Sequence, residues 1–85
     1  MNSLIGKYFK HYKGKHYYVL NVSTHTESNE KLVNYINLYD KVNFWSRPLT
    51  MWNELVNDKR RFIEIIPSNE DIMIATNYII NKNKT

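Results

Sequence analysis

The sequence has no cysteine. That excludes disulfide staples, thiolate zinc sites and cysteine nucleophiles at once, and it fits a cytoplasmic address. Glycine and proline are scarce, with two of each. Gly6 and Gly14 are too far apart for a glycine-rich phosphate loop, and Pro48 and Pro67 cannot make a proline-rich linker. No apolar run approaches the length that spans a membrane. The opening residues lack the cationic-then-apolar layout of a signal peptide. His11, His16 and His25 are the three histidines, and none stands at metal-ligand spacing, so no metal and no cofactor is expected. No serine sits in a nucleophile elbow. The expectation is a protein that is not an enzyme.

At 85 residues and 10.3 kDa the chain makes one domain, 1–85. A domain this small buries only about 60–65% of its unfolded surface, which limits both core and stability. Acids are few, eight against twelve Lys and Arg, for a net charge of +4. The placement of that charge is informative. Residues 1–20 hold Lys7, Lys10, Lys13 and Lys15 and no acid. Such a hairpin can meet phosphate, or it can be a solvated edge that discourages strand pairing.

Hydrophobic periodicity organises the rest. Residues 7–12 alternate aromatic and basic side chains, Lys13-Gly14-Lys15 makes a turn, and residues 16–25 are rich in Tyr and Val. Residues 26–30 are turn material. A third strand over 31–39 places Leu32, Ile36 and Leu38 on one face, with Val33, Tyr35 and Tyr39 on the other. In the second strand, Tyr18, Leu20 and Val22 share one side, Tyr17 and Val19 the other. Both faces are therefore apolar and need cover from a barrel wall, a terminal helix or a partner subunit. Phe44-Trp45-Ser46-Arg47 forms a short strand, Pro48 starts a helical turn, and residues 61–66 form the last strand. Ser68 caps a helix over 68–82, with Glu70 and Asp71 in its first turn and Lys82 and Lys84 at its end. Its expected buried stripe is Ile72, Ala75, Thr76, Ile79 and Ile80. The predicted fold class is mainly β: a small, curved antiparallel sheet or SH3-like barrel, with a short helix after Pro48 and a C-terminal helix.

Particular stretches then suggest a family. They are Lys10-His11-Tyr12-Lys13-Gly14, Tyr17 with Val19-Leu20, His25-Thr26-Glu27 with Glu30, and Leu32-Val33, Tyr35 and Leu38-Tyr39. Trp45-Ser46-Arg47-Pro48-Leu49-Thr50-Met51 is the most specific of them. The chain resembles the domain-of-unknown-function family 1653, small uncharacterised bacterial and phage proteins, over about residues 6–66. The resemblance implies a β core of that extent and brings no known activity. The helix over 68–82 lies beyond the usual family length.

Aromatics make up 14% of the chain, more than so small a core can bury. Trp45 with Arg47, and Tyr39 one short loop earlier, combine stacking planes with a planar cation, a pairing suited to nucleobases and phosphates. Alternatively, Trp45, Leu49, Met51 and Trp52 plug the core while Arg47 pairs with Glu54 or Glu64. His25 with Glu27 suits acid–base or hydrogen-bonding work, or simply a local turn. The leading expectation is a non-catalytic binding module for a small anionic, nucleotide-like ligand. Tyr39 and Trp45 would hold a ring, Arg47 and Lys10 would neutralise charge, and His25 and Glu27 would complete one pocket. A phage protein that sequesters a nucleotide immune signal is one setting for it, and a homo-oligomer is one way to build it. The alternatives are a nucleic-acid-binding small β barrel and an SH3-type protein-interaction domain.

Overall fold

The computed structural model describes residues 3–82; Lys84 and the first two residues of the N-terminal reading lie outside them. Among the described residues, seven strands and two helices follow in chain order: β1 (Tyr8–His11), β2 (His16–Thr24), β3 (Lys31–Asn37), β4 (Phe44–Pro48), α1 (Leu49–Trp52), β5 (Leu55–Val56), β6 (Lys59–Arg60), β7 (Phe62–Ile65) and α2 (Asn69–Lys82). Five strands form one antiparallel sheet in the order β4-β3-β2-β1-β7, and β5 pairs with β6 as a separate hairpin.

The mainly β, barrel-like expectation is overturned. This is a mixed α/β fold whose sheet is open, with β4 and β7 as its two edges among the described residues. Apolar residues do line both faces of the strands, but their cover is one helix per face, which removes the need for closure. Each face has its own core. Phe9, Val19, Val33, Tyr35 and Phe62 pack with Trp52 of α1 on one side. Ile36 and Leu38 pack with Ala75 of α2 on the other, flanked by Tyr8, Tyr18, Ile74 and Tyr78.

The α1 face is aromatic throughout. Trp52, only 2% exposed, stacks on Phe62 at 3.8 Å between ring centroids and meets Phe9 and Tyr35 edge-on at 5.2 and 5.1 Å. Each buried ring contributes roughly 1.5–3 kcal/mol by transfer, and each good pair about 0.5–1.5 kcal/mol more. Pro48 precedes the helix at φ −53°, as its ring requires.

Two turns depend on backbone chemistry. Gly14, at φ +102°, lets its amide bond to His11 O at 2.7 Å and closes the β1–β2 turn. The β5–β6 hairpin, absent from the sequence reading, turns on Asn57 and Asp58 at φ 52° and 66°. Those are the two left-handed residues of a two-residue hairpin loop.

A bulge in β2 alters the alternation. Val19 faces Tyr35, but the next paired residue is Asn21, opposite Asn34, and Val22 then faces Val33. Val22 therefore lies on the α1 side with Val19, not beside Tyr18 and Leu20.

Helix α2 starts with a reciprocal cap: the Asp71 amide donates to Ser68 Oγ and the Ser68 amide to Asp71 Oδ2, both at 3.1 Å. The same carboxylate oxygen lies 3.0 Å from His16 Nδ1 on β2. Burial pushes the Asp71 carboxyl upward, but the bonds from Ser68 and His16 outweigh it and hold the group below its ordinary value. This polar tether sets the helix rotation. Asp71 and Ala75 are buried, with Ile74 and Tyr78 beside them, while Ile72, Ile79 and Ile80 are 37–47% exposed. The expected stripe is thus displaced by about one residue, or about 100°.

Candidate functional site

Side chains at paired positions share a sheet face, and the register gathers the chemistry-bearing ones on the α1 side. His11 lies opposite Phe62, Phe9 opposite Tyr17, Tyr35 opposite Trp45 and Val33 opposite Arg47. Near the β1–β2 turn these residues form one continuous group. Tyr17 and Tyr39 share a hydroxyl–hydroxyl bond of 2.9 Å, and the Tyr17 ring stands edge-on to Tyr35 and Tyr39 at 5.5 and 5.8 Å. Arg47 Nε donates to Tyr35 Oη at 3.4 Å, and the guanidinium carbon is 5.7 Å from the Phe62 ring centre. The Lys15 ammonium sits 5.0 Å over the Tyr39 ring.

Trp45 is 48% exposed, yet its indole is held. Its Nε1 donates to Asn37 Oδ1 at 3.1 Å, and the Asn43 amide donates to the same oxygen at 2.7 Å. Asn37 Nδ2 in turn donates to the carbonyls of Tyr39 and Lys41 at 2.7 and 2.9 Å. Asn37 is buried and fully bonded, so it fixes the 38–43 loop and the edge of Trp45 together.

Electrostatics follow from this packing. Burial lowers the His11 pKa, and Arg61, Arg47 and Lys13 lower it further, so its ring is neutral at pH 7. Burial raises the Tyr17 pKa, reinforced by the bond to Tyr39. Arg61 Nη2 bonds Glu54 Oε1 at 2.6 Å, while its buried Nε has no hydrogen-bond partner among the described residues. The site can present planar faces, hydroxyls and cations to a ligand. Among the described residues no group of three His, Asp or Glu stands together to hold a metal, and no helix is long and apolar enough to cross a membrane.

Of the six residues expected at one pocket, the structure brings three together: Tyr39, Trp45 and Arg47. Lys10 lies on the opposite face, paired with His16 and Ile63, because it alternates with Phe9 and His11. His25 and Glu27 lie in the exposed β2–β3 turn. In an antiparallel pair that turn adjoins the start of β3, about 25 Å of strand away from Tyr39 at its end. Without sheet closure nothing within the one chain brings the two ends together. The His25 ring instead accepts the amides of Glu27 and Ser28 at 3.2 and 3.4 Å. The expected partners of Arg47 are engaged elsewhere, Glu54 with Arg61 and Glu64 with Lys7. The core plug is Trp52; Trp45 and Met51 are exposed.

Comparison with known proteins bears on the sheet and this group of residues together. The family model described as a protein of unknown function, DUF1653, matches residues 7–64. The chain belongs to the DUF1653 family. A crystal structure of a DUF1653 protein from Bordetella bronchiseptica is similar, at 30% sequence identity and a TM-score of 0.63. The similarity covers 74% of this chain and 92% of that one. No curated protein matches. The DUF1653 match takes in β1 to β7 nearly whole, so Tyr39, Trp45 and Arg47 fall within it and α2 falls outside.

Sequence reasoning missed His11, Tyr17, Tyr35, Arg61 and Phe62 as neighbours of this candidate site. The alternation Phe9/His11, Tyr17/Val19 and Val33/Tyr35 carried the signal, since it assigns each to a face. What it lacked was strand order: only the β1–β7 pairing brings His11 against Phe62.

Proposed function

We propose that this protein is a cytoplasmic, non-catalytic binding module for a small, planar, anionic ligand of nucleotide-like chemistry, held at Tyr39, Trp45 and Arg47. The observation that carries this reading is the half-exposed Trp45 indole, anchored at its edge by Asn37 on the sheet face that also carries Arg47 and its bond to the Tyr35 hydroxyl. A ring held at its edge offers its face for stacking at little further entropic cost. Arg47 and Lys15 supply charge for a phosphate. Neutral His11 adds a donor or acceptor. The N-terminal lysines support a small ligand better than a nucleic-acid track. Lys10 lies on the other face, Lys7 is paired with Glu64, and Lys15 lies over Tyr39, so they form no single stripe.

Titration with adenosine monophosphate, followed by tryptophan fluorescence and calorimetry, tests the reading. Stacking contributes about 1–3 kcal/mol per base, so Trp45→Ala is expected to weaken binding at least fivefold, and Arg47→Ala comparably, with folding retained. Unchanged affinity in both variants, or no binding by any purine or pyrimidine nucleotide, would reject it. A steep loss of affinity with salt on an oligonucleotide, absent with the mononucleotide, would favour nucleic acid instead.

A further inference from the structure

Against the Trp52–Phe62 stack of the α1 face lies a groove. This groove has a volume of about 810 Å³, within the range that takes small ligands. Its walls are apolar and aromatic, made by Leu4, Phe9, Val22, Leu49, Trp52 and Phe62. Its rim is cationic: Lys7, Lys31 and Arg60 stand against one acid, Glu64. Glu64 is taken up by Lys7 at 3.8 Å. Lys31 and Arg60 bond only neutral groups, Thr24 Oγ1 at 2.7 Å and Asn53 Oδ1 at 3.3 Å, and neither meets a carboxylate among the described residues. An apolar floor beneath two cations without carboxylate partners complements one kind of molecule.

We infer that this groove binds a small amphiphile with an anionic head and a single unbranched apolar tail, the fatty carboxylate class. The tail lies along Leu4, Val22 and Leu49, the partly exposed apolar lining above the buried Phe9, Trp52 and Phe62, and the head lies between Lys31 and Arg60. None of Tyr39, Trp45 and Arg47 lines it, so the groove is separate from the site at Trp45.

Dodecanoate, kept below its micelle concentration, is the probe, read by amide chemical shifts and calorimetry on the full chain. The expected shifts centre on Phe9, Val22, Lys31, Trp52 and Phe62. Each methylene removed from the tail is expected to weaken binding about fourfold. The double variant Lys31→Gln, Arg60→Gln is expected to weaken it tenfold or more. Both side chains are exposed, so the melting temperature checks that the variant folds. Dodecyltrimethylammonium, with the same tail and the opposite charge, is expected not to bind. Equal binding of the two amphiphiles, affinity independent of tail length, or shifts confined to the exposed α2 residues Ile72, Ile79 and Ile80 would each overturn the inference.

Discussion

Replacing Asn37 with Leu tests whether one buried amide holds both the 38–43 loop and the candidate site. The side chain is 4% exposed and makes four hydrogen bonds, to the carbonyls of Tyr39 and Lys41 and from the Asn43 amide and the Trp45 indole. Leu keeps approximate volume and removes all four. At about 1 kcal/mol net for each bond the upper figure is about 4 kcal/mol. Lys41, Asn43 and Trp45 are exposed residues whose polar groups water can reach, so about 2–3 kcal/mol is the reasoned loss. A domain of this length has roughly 4–13 kcal/mol in total. The expected result is a fall of about 10–20 °C in melting temperature by circular dichroism, together with weakened nucleotide binding as Trp45 loses its anchor. A fall below about 3 °C with binding intact would refute the reasoning, because it would mean that loop and indole are held by something else.

The two tryptophans should separate cleanly: Trp52→Ala is expected to cost about 3–5 kcal/mol and nearly unfold the domain, whereas Trp45→Ala costs below about 1 kcal/mol in urea unfolding. On α2, Ala75→Asp, at a 1% exposed position, is expected to abolish cooperative melting by placing a charge against Ile36 and Leu38, while Ile80→Asp leaves melting within a few degrees. The depressed Asp71 pKa has a definite sign: the folded state binds this proton less readily than the unfolded chain, so its stabilisation is present above the ordinary value of 3.8 and is lost as pH falls through the folded pKa. Acid titration of stability is therefore expected to fall more steeply in this range for the native chain than for Asp71→Asn; parallel curves would remove Asp71 from the account.

Most elements were legible because their local signals agreed. Alternation marked β1 to β4, Pro48 marked the start of α1, and Ser68 with Asp71 three residues on marked that of α2. Closure was not legible: apolar residues on both faces of β2 and β3 are equally compatible with a barrel and with a sheet between two helices. The rotation of α2 was hidden for a different reason. Hydrophobic periodicity weighs only apolar residues, and the helix is set by a carboxylate bonded to His16, a contact 55 residues distant in sequence. At the candidate site, residue types and close spacing singled out Trp45 and Arg47. His25 and Glu27 were drawn in by assuming that opposite strand ends meet.

The bulge in β2 acts as a change of phase. Before it, odd-numbered residues face α1; after it, even-numbered ones do, so Val19 and Val22 are neighbours on one face although three positions apart. A mutational scan along β2 should therefore show sensitive positions spaced two, then three, along the α1 side. Deleting Leu20 alone would restore strict alternation and, with the pairing on either side kept, leave the same faces buried. Deleting Val19 instead would put Leu20 opposite Tyr35 and leave Tyr18 and Tyr17 opposite Ile36 and Asn37, so it changes one side chain and not the register. Length variation in this strand thus has one tolerant point, and it lies between the two layers of the protein rather than in a loop.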